Sequence, residues 1–325
     1  MDDAARQNRQ KNRRLVDQQL KDKPRRAFAM PNNLTIEPGA VCSLKCAFCP
    51  QSDPAFDLPR GLLTLGDFKK IVDSFEGHLE YANLFNWGEP LLNPELSKMI
   101  RHISEKEIYS VVHSSLNFLT PAVADELVAS GLSELAASID GASEETYSKY
   151  RVNGSFSTAF KNLRMLITAK KKLGLAQPKI FWKFLVFRHN EHEIAAAKNM
   201  ADDMEIEIKF QFAVANKKSF ESTLENYNGK DFLKKFVRDY DSPCEALWRN
   251  PIVHADGTVL PCCMISQKKH AAGNLFREDF KSIWNNDKYQ EIRDVISGRA
   301  QASEALLCHR CIFNPTMDNA RYYQI

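Results

Sequence analysis

The sequence has no long apolar run and little excess of one charge sign, and both absences narrow the class of protein. Its 325 residues include no apolar stretch near the about twenty residues that a membrane-spanning helix needs. Residues 1–30 also lack the apolar core of a signal peptide. The formal net charge is +3, which argues against a general polyanion-binding surface. We therefore expect a cytoplasmic protein that has neither a membrane nor a nucleic acid as its partner.

The charge that is present is concentrated at the amino terminus. Residues 1–26 hold nine lysines and arginines against four aspartates, a local charge of +5. Such a segment is typical of a solvated helix or tail, and a contact with a nucleic acid or an acidic partner is the alternative. We predict a basic, polar arm over residues 1–30.

The next part of the chain alternates short apolar runs with helical patterns. Thr64 and Thr120 are candidate helix N-caps, and Gly77, Gly131 and Gly174 are candidate C-caps. The predicted strands are Leu34–Glu37, Tyr81–Asn86, Tyr109–His113, Glu134–Ile139, Ile180–Phe187 and Ile206–Phe212. The predicted helices are Leu65–Glu76, Glu95–Glu105, Pro121–Ser130, Ser157–Leu173 and Glu191–Asp202. This alternation predicts an α/β fold over residues 31–212, a partial (β/α)6 TIM-like barrel that is open on one side.

The alternation ends after residue 212. Residues 213–243 are polar and charged and are predicted to be a connector. The stretch from Val253 to Val259 contains Asp256-Gly257, a pair typical of hairpin turns with positive φ angles. Residues 244–325 are therefore predicted to form a small domain, a β-hairpin plus helix, followed by a tail.

Three cysteines follow the first predicted strand, where barrel active sites are built. Cys42, Cys46 and Cys49 lie on one loop. In a reducing compartment, clustered cysteines indicate a metal or catalysis before disulfides. Three thiolates can hold a cube of four irons and leave one iron for a ligand that is not protein. The alternative is a zinc ion with a distant fourth ligand.

The residues around this loop resemble those of the radical S-adenosylmethionine (SAM) enzymes. The loop matches the family signature CxxxCx-aromatic-C, with Phe48 at the aromatic position. Two further marks lie at the ends of later strands: Gly88-Glu89-Pro90 and Ser138-Ile139-Asp140-Gly141. The resemblance covers about residues 33–212. Trp87 stands where family members often have a glycine, which puts in doubt the detail of backbone contacts to the methionine amino group.

The resemblance implies a [4Fe–4S] cluster on Cys42, Cys46 and Cys49, with the amino and carboxylate groups of SAM on its free iron. Ser138 and Arg151 would meet the ribose and the carboxylate of SAM. The implied SAM site comprises Phe48, Gly88, Glu89, Pro90, Asn117, Ser138, Asp140 and Arg151. Reductive cleavage of SAM would give a 5′-deoxyadenosyl radical that takes hydrogen from a substrate C–H bond. A flavodoxin or ferredoxin is the expected reducing partner.

Five cysteines remain, all in the carboxy-terminal part of the chain. Four thiolates fit either a structural zinc ion or a complete [4Fe–4S] cube. The layout resembles the SPASM or twitch extension of radical SAM enzymes, which implies an auxiliary [4Fe–4S] cluster on Cys244, Cys262, Cys308 and Cys311. That assignment leaves Cys263 spare, although the two adjacent thiols can be exchanged.

The combined expectation is a radical SAM enzyme whose auxiliary cluster accepts an electron in a two-electron oxidation, such as a sugar or cyclitol alcohol becoming a ketone. One alternative is modification or epimerisation of a peptide, with Cys263 as hydrogen-atom donor. An alternative of another class is a zinc-binding scaffold. Trp182, Lys183 and Arg188 are candidates to line the barrel lumen, and His113, at the end of the third predicted strand, either faces the cofactor or is a core or loop histidine. Alternation alone does not say whether Trp182 or Lys183 faces inward.

Overall fold

Six parallel strands form a barrel wall. The computed structural model describes residues 3–212, 244–263 and 265–303, together with residues 306 and 308. The strands are β1 (Asn33–Ile36), β2 (Tyr81–Asn83), β3 (Tyr109–Ser114), β4 (Glu134–Ser138), β5 (Lys179–Val186) and β6 (Glu207–Phe212). Each pairs in parallel with the next strand along the chain. The predicted β/α alternation is confirmed, although β2 ends at Asn83 and leaves Asn86 in the loop that follows.

Helices connect the strands. The structure has α1 (Asp3–Asp22), α2 (Leu65–Asp73), α3 (Leu96–Glu105), α4 (Pro121–Val128), α5 (Glu144–Tyr150), α6 (Phe156–Lys172) and α7 (Ile194–Asp203). The Thr64 and Thr120 side chains accept hydrogen bonds from the first turns of α2 and α4, as their sequence positions predict. Helix α5, whose N-cap is Ser143, was not predicted. The helix has only seven residues, and apart from the serine N-cap its sequence shows little apolar periodicity, so no local signal predicted it.

The barrel is not closed. In the part of the chain that the structure describes, the sheet order is β6-β5-β4-β3-β2-β1 followed by strands of the carboxy-terminal domain. Strand β7 (Ile252–Val253) pairs in parallel with β1, and β8 (Thr258–Leu260) and β9 (Gly273–Asn274) continue the sheet antiparallel. The predicted hairpin is confirmed, but Gly257 alone has a positive φ, 82°, so the expectation for Asp256 is wrong.

The carboxy-terminal domain packs against the start of the chain. Its helices are α8 (Ala246–Arg249), α9 (Phe280–Trp284) and α10 (Asp287–Ile296). Trp248 and Trp284 are buried, and their indole N–H groups donate to Pro24 O at 2.9 Å and Ala29 O at 3.0 Å. The predicted connector, residues 213–243, lies outside the described residues.

Helix α1 is not the solvated arm that its charge suggests. Val16 is fully buried, and the buried Gln19 donates from Nε2 to Trp248 O at 2.5 Å. Arg6 forms an ion pair of 2.8 Å with Glu107 at the start of β3. The net charge did not predict this packing, because the buried face of α1 includes polar side chains. A hydropathy pattern assigns such side chains to solvent. None of the helices that the structure describes is long and apolar enough to cross a membrane.

Candidate active site

The three-cysteine loop begins just beyond β1, at the carboxyl end of the barrel. It is fixed to the segment after α5 by Lys45 N, which donates to Val152 O at 2.9 Å, and by Ala47 N, which donates to Tyr150 O at 3.2 Å. Cys46 is buried, and Cys42 and Cys49 are partly buried. The backbone therefore holds all three thiols at the mouth of the barrel.

The three thiols influence one another electrostatically. Burial raises the pKa of Cys42 to about 11, and the neighbouring Cys46 and Cys49 add to the effect. Burial also raises the pKa of Cys46 and of Cys49, while Arg151 opposes it. Because metal ligands are thiolates, a bound metal must displace these protons. The three cysteines are therefore suited to a positively charged metal centre that prefers sulfur ligands.

A closed mononuclear site is not present at this loop. Among the described residues, no group of three or more His, Cys, Asp or Glu side chains is placed to hold a single metal ion. Glu89 is the nearby carboxylate, and it accepts from Ser114 Oγ at 2.7 Å, Ser115 N at 2.9 Å and Ser115 Oγ at 2.7 Å. In a cube each cysteine binds a different iron, so its ligands are more widely spaced than those of one ion.

Gly88 lies against the backbone that leads into the cysteine loop. A Cβ atom at this position would lie 1.7 Å from Gly39 O, so only glycine fits. Gly88 N and Trp87 N donate to Glu37 Oε1 at 2.7 Å and 2.9 Å. The Gly88-Glu89-Pro90 motif therefore has a structural role in joining the ends of β1 and β2. Glu89 and Pro90 are buried here.

Asp140 and Arg151 form an ion pair beside the loop. Ser138 ends β4, and two residues later Asp140 accepts from Leu185 N at 2.7 Å and contacts Arg151 at 2.6 Å. Arg151 Nη1 lies 3.7 Å from Cys46 Sγ. Burial alone would lower the pKa of Arg151, but Asp140 and Cys46 outweigh it and raise that pKa well above its usual value. Arg151 thus remains a cation next to the thiols.

Asn117 and Phe48 complete the surroundings. The Asn117 amide donates to Tyr147 Oη at 2.7 Å and accepts from Ser155 N at 2.8 Å, so it holds two loops together. The Phe48 ring lies 6.1 Å from Tyr150 and 6.4 Å from Phe187 between ring centroids. The structure brings all the predicted SAM-site residues to one end of the barrel, and their contacts with SAM stay a prediction.

A buried network that the sequence did not indicate supports this end of the barrel. Glu37 Oε2 lies 3.2 Å from His254 Nε2, and His254 Nδ1 lies 3.0 Å from Asp256 Oδ1. Burial raises the pKa of Glu37. Burial also acts to raise the pKa of Asp256, but hydrogen bonds from His254 and Thr258 outweigh it and bring it to about 2.

Two parts of the chain match families of known proteins. Residues 36–175 match the radical SAM superfamily, and residues 244–312 match SPASM, an iron–sulfur cluster-binding domain. This chain is a radical SAM enzyme with a carboxy-terminal SPASM domain. It uses SAM and [4Fe–4S] clusters, and the zinc-binding scaffold is therefore excluded as its main role.

Known proteins of the family resemble the chain over most of its length. The AdoMet-dependent heme synthase of Methanosarcina barkeri is 22% identical, over 81% of this chain and 85% of the relative. The mycofactocin maturase of Mycobacterium ulcerans is 29% identical over 53% of this chain, and the match spans only 44% of that relative. Streptococcus suis SuiB, bound to precursor peptide SuiA, has a similar fold: its TM-score is 0.65 at 13% identity, with 93% of this chain and 74% of SuiB covered.

The structure describes three of the four predicted auxiliary-cluster cysteines and places them beside two different apolar clusters. Cys244 and Cys308 pack against one apolar cluster, formed by Leu247, Trp248, Ile292 and Ile296. Cys262 packs beside a second, formed by Leu58, Ile252, Leu260 and Ile265. Cys311, the fourth predicted ligand, lies outside the described residues. Cys263 is exposed.

A buried hydroxyl near Cys262 supports a cluster in this domain. Tyr289 is fully buried, and its hydroxyl has no hydrogen-bond partner among the described residues. Burial raises the pKa of Tyr289, and Cys262 raises it further, which places that thiol within electrostatic reach. An orphaned buried donor is rare, and a cluster sulfide would satisfy it. The residues of the SPASM domain therefore fit an iron–sulfur cluster.

Proposed function

We propose that this radical SAM enzyme carries out a net two-electron oxidation of an unactivated carbon in its substrate. When bound, SAM and the clusters supply hydrogen abstraction and an acceptor for the electron that remains on the substrate. The observation that carries the proposal is the pairing of β7 with β1. Through it the SPASM domain continues the same sheet that bears the three-cysteine loop, so that loop and Cys262, which follows β8, extend from strands of a single sheet.

The chain's own residues would prepare the barrel mouth for this chemistry. Cys42, Cys46 and Cys49 would hold the SAM cluster, and Arg151 would keep a positive charge beside it. The Asp140–Arg151 ion pair would fix the end of β4, where Ser138 is proposed to meet the ribose of SAM. In the SPASM domain, Cys244, Cys262, Cys308 and Cys311 would hold the auxiliary cluster. We also infer a flavodoxin or ferredoxin as electron donor and a cytoplasmic location.

The comparisons favour a peptide over a sugar or cyclitol alcohol as the substrate. SuiB is described bound to a precursor peptide, and another relative, from Bradyrhizobium diazoefficiens, is a PqqA peptide cyclase, 24% identical over 80% of this chain. The open side of the barrel would admit a peptide segment. Oxidation of a sugar or cyclitol alcohol to a ketone remains the small-molecule form of the same proposal.

The test is the stoichiometry and mass of the product. Anaerobically reconstituted enzyme with a candidate peptide should consume one SAM for each product and remove two hydrogen atoms from the substrate. Replacing Cys42, Cys46 and Cys49 together with Ala should abolish deoxyadenosine formation, whereas Cys263→Ala, which retains both cysteine sets, should not. Deoxyadenosine formation by the triple variant would refute the assignment of the SAM cluster.

Epimerisation of a peptide is the second candidate, because Cys263 is an exposed spare thiol adjacent to Cys262. In that reaction Cys263 would return a hydrogen atom to the substrate radical, and the thiyl radical left on Cys263 would be reduced to the thiol by one electron from the proposed flavodoxin or ferredoxin and one proton from solvent. The product would keep the mass of the substrate in H₂O and would gain one deuterium in D₂O. Cys263→Ala would then abolish the product without changing the iron content. A product that is lighter by two hydrogen atoms would exclude this alternative.

A further inference from the structure

The barrel lumen contains two lysines whose orientation only the tertiary structure reveals. On β5, Trp182 and Phe184 belong to the core between sheet and helices, and on β6, Ile208 and Phe210 pack against that core. Side chains alternate between the faces of a strand, so Lys183 and Lys209 point to the opposite side, into the lumen. The two residues are also partners in the β5–β6 register, on strands that lie about 4.8 Å apart.

Neither of these two cations forms an ion pair with a carboxylate among the described residues, although Lys209 acts electrostatically on Glu207. Lys183 is partly buried and forms no hydrogen bond or ion pair there. Burial lowers its pKa, Asp140 opposes that shift and Arg151 adds to it. Asp140, the acid that acts electrostatically on Lys183, is already bound by Arg151 and Leu185 N. Lys209 Nζ lies 3.8 Å from the centroid of the Phe181 ring, a cation–π contact that compensates it in part.

A neutral histidine completes the group. Val112 on β3 belongs to the core, so His113 faces the lumen, where its ring stacks on Phe85 at 3.8 Å between centroids. Burial lowers the pKa of His113 to about 3, and Lys183 and Lys209 contribute to that shift. Both lysines therefore lie within electrostatic reach of an imidazole that is neutral and can donate one hydrogen bond.

We propose that Lys183 and Lys209 bind a carboxylate group of the substrate inside the barrel lumen. A partly buried ammonium without a partner is unfavourable, and a carboxylate placed between the two lysines would remove that penalty. The inference rests on the proposed function only in that the carboxylate belongs to the molecule being oxidised.

The surroundings fit a carboxylate better than a phosphate. Phosphate sites typically combine several backbone N–H groups at a helix N-terminus, or the fork of an arginine. The lumen wall here is strand: β5 is hydrogen-bonded to a neighbour on each side, and β6 is hydrogen-bonded to β5 at the edge of the described sheet. The site therefore offers two ammonium groups as point charges, which suit the two oxygens of a carboxylate.

The test measures binding without turnover. Cluster-loaded enzyme, saturated with SAM and without reductant, is titrated calorimetrically with N-acetyl-alanyl-alanine, its carboxamide and inorganic phosphate. We expect the acid to bind about tenfold more tightly than the carboxamide, a difference typical of one charge pair at a desolvated site. Lys183→Met and Lys209→Met keep the aliphatic stems and should each remove that preference. Lys179→Met is the matched control, because Lys179 lies on β5 but pairs with Glu207 at 2.7 Å at the exposed end of the strand.

Three results would overturn the inference: no preference of the wild-type enzyme for the acid, equal loss in the Lys179→Met control, or tighter binding of phosphate than of the acid. The first result needs no variant, so a folding defect cannot obscure it. Failure of the proposed oxidation would instead appear as an absent or unchanged product while the preference for the acid persists. The two failures are therefore distinguishable.

Discussion

Glu37 is the residue whose replacement tests most directly how the active-site end of the barrel is held. Its side chain is fully buried, and one oxygen accepts hydrogen bonds from both Trp87 N and Gly88 N. Glu37→Ala leaves these two buried N–H groups without an acceptor. Each unsatisfied group costs about 1–3 kcal/mol, so the variant should be destabilised locally by about 2–6 kcal/mol.

Hydrogen exchange followed by mass spectrometry measures this loss at the two amides themselves. In cluster-loaded Glu37→Ala enzyme, exchange at Trp87 and Gly88 should accelerate about 5- to 150-fold, which corresponds to 1–3 kcal/mol for each bond. Glu37→Gln is the matched control. It keeps the accepting oxygen, and its new NH₂ group can donate to His254 Nε2, so exchange should stay close to the wild-type rate.

Two results would refute this reasoning. Unchanged exchange in Glu37→Ala would show that Glu37 does not hold the loop. Equal acceleration in Glu37→Ala and Glu37→Gln would show that the negative charge, and not the hydrogen-bond acceptor, is what matters.

Two further predictions concern the iron–sulfur sites. Gly88→Ala places a Cβ atom 1.7 Å from Gly39 O, so it should displace the cysteine loop and lower the iron content of anaerobically purified enzyme. The control is Gly66→Ala, where the nearest atom to a new Cβ, Thr64 Oγ1, is 3.8 Å away; normal iron in Gly88→Ala would contradict the prediction. Tyr289→Phe removes the buried hydroxyl near Cys262 and should lower the midpoint potential of the auxiliary cluster, because hydrogen bonds to cluster sulfurs favour the reduced state. Electron paramagnetic resonance during a redox titration measures this potential, and an unchanged value would place the hydroxyl away from the cluster.

Local sequence patterns were enough to predict the barrel and its motifs. The apolar runs, the threonine caps and the Asp256-Gly257 turn depend on neighbours within a few residues, and each gave its element at about the right position. Helix α5 was missed because it is short and mostly polar. The docking of α1 was missed because the buried face includes Asn12 and Gln19, which hydropathy assigns to solvent.

The residues that support the active site could not be found in the same way. Glu37 and His254 lie far apart in the sequence, and no local pattern marks either as a partner of the other. Trp182 and Lys183 were both candidates for the lumen, and the structure places Trp182 in the core. Lys209 was not singled out, because the sequence alone does not say whether a lysine on a barrel strand points into the lumen or towards the surrounding helices.

The sequence by itself determined the family, the α/β alternation and the cysteines that mark the two cluster sites, since each depends on residue type and short spacing. The tertiary structure decided which face of each strand is inward, and so placed Trp182 in the core and Lys183 in the lumen. It also joined β7 to β1 and Glu37 to His254. These are contacts between distant segments, and they form only when the sheet brings the segments together.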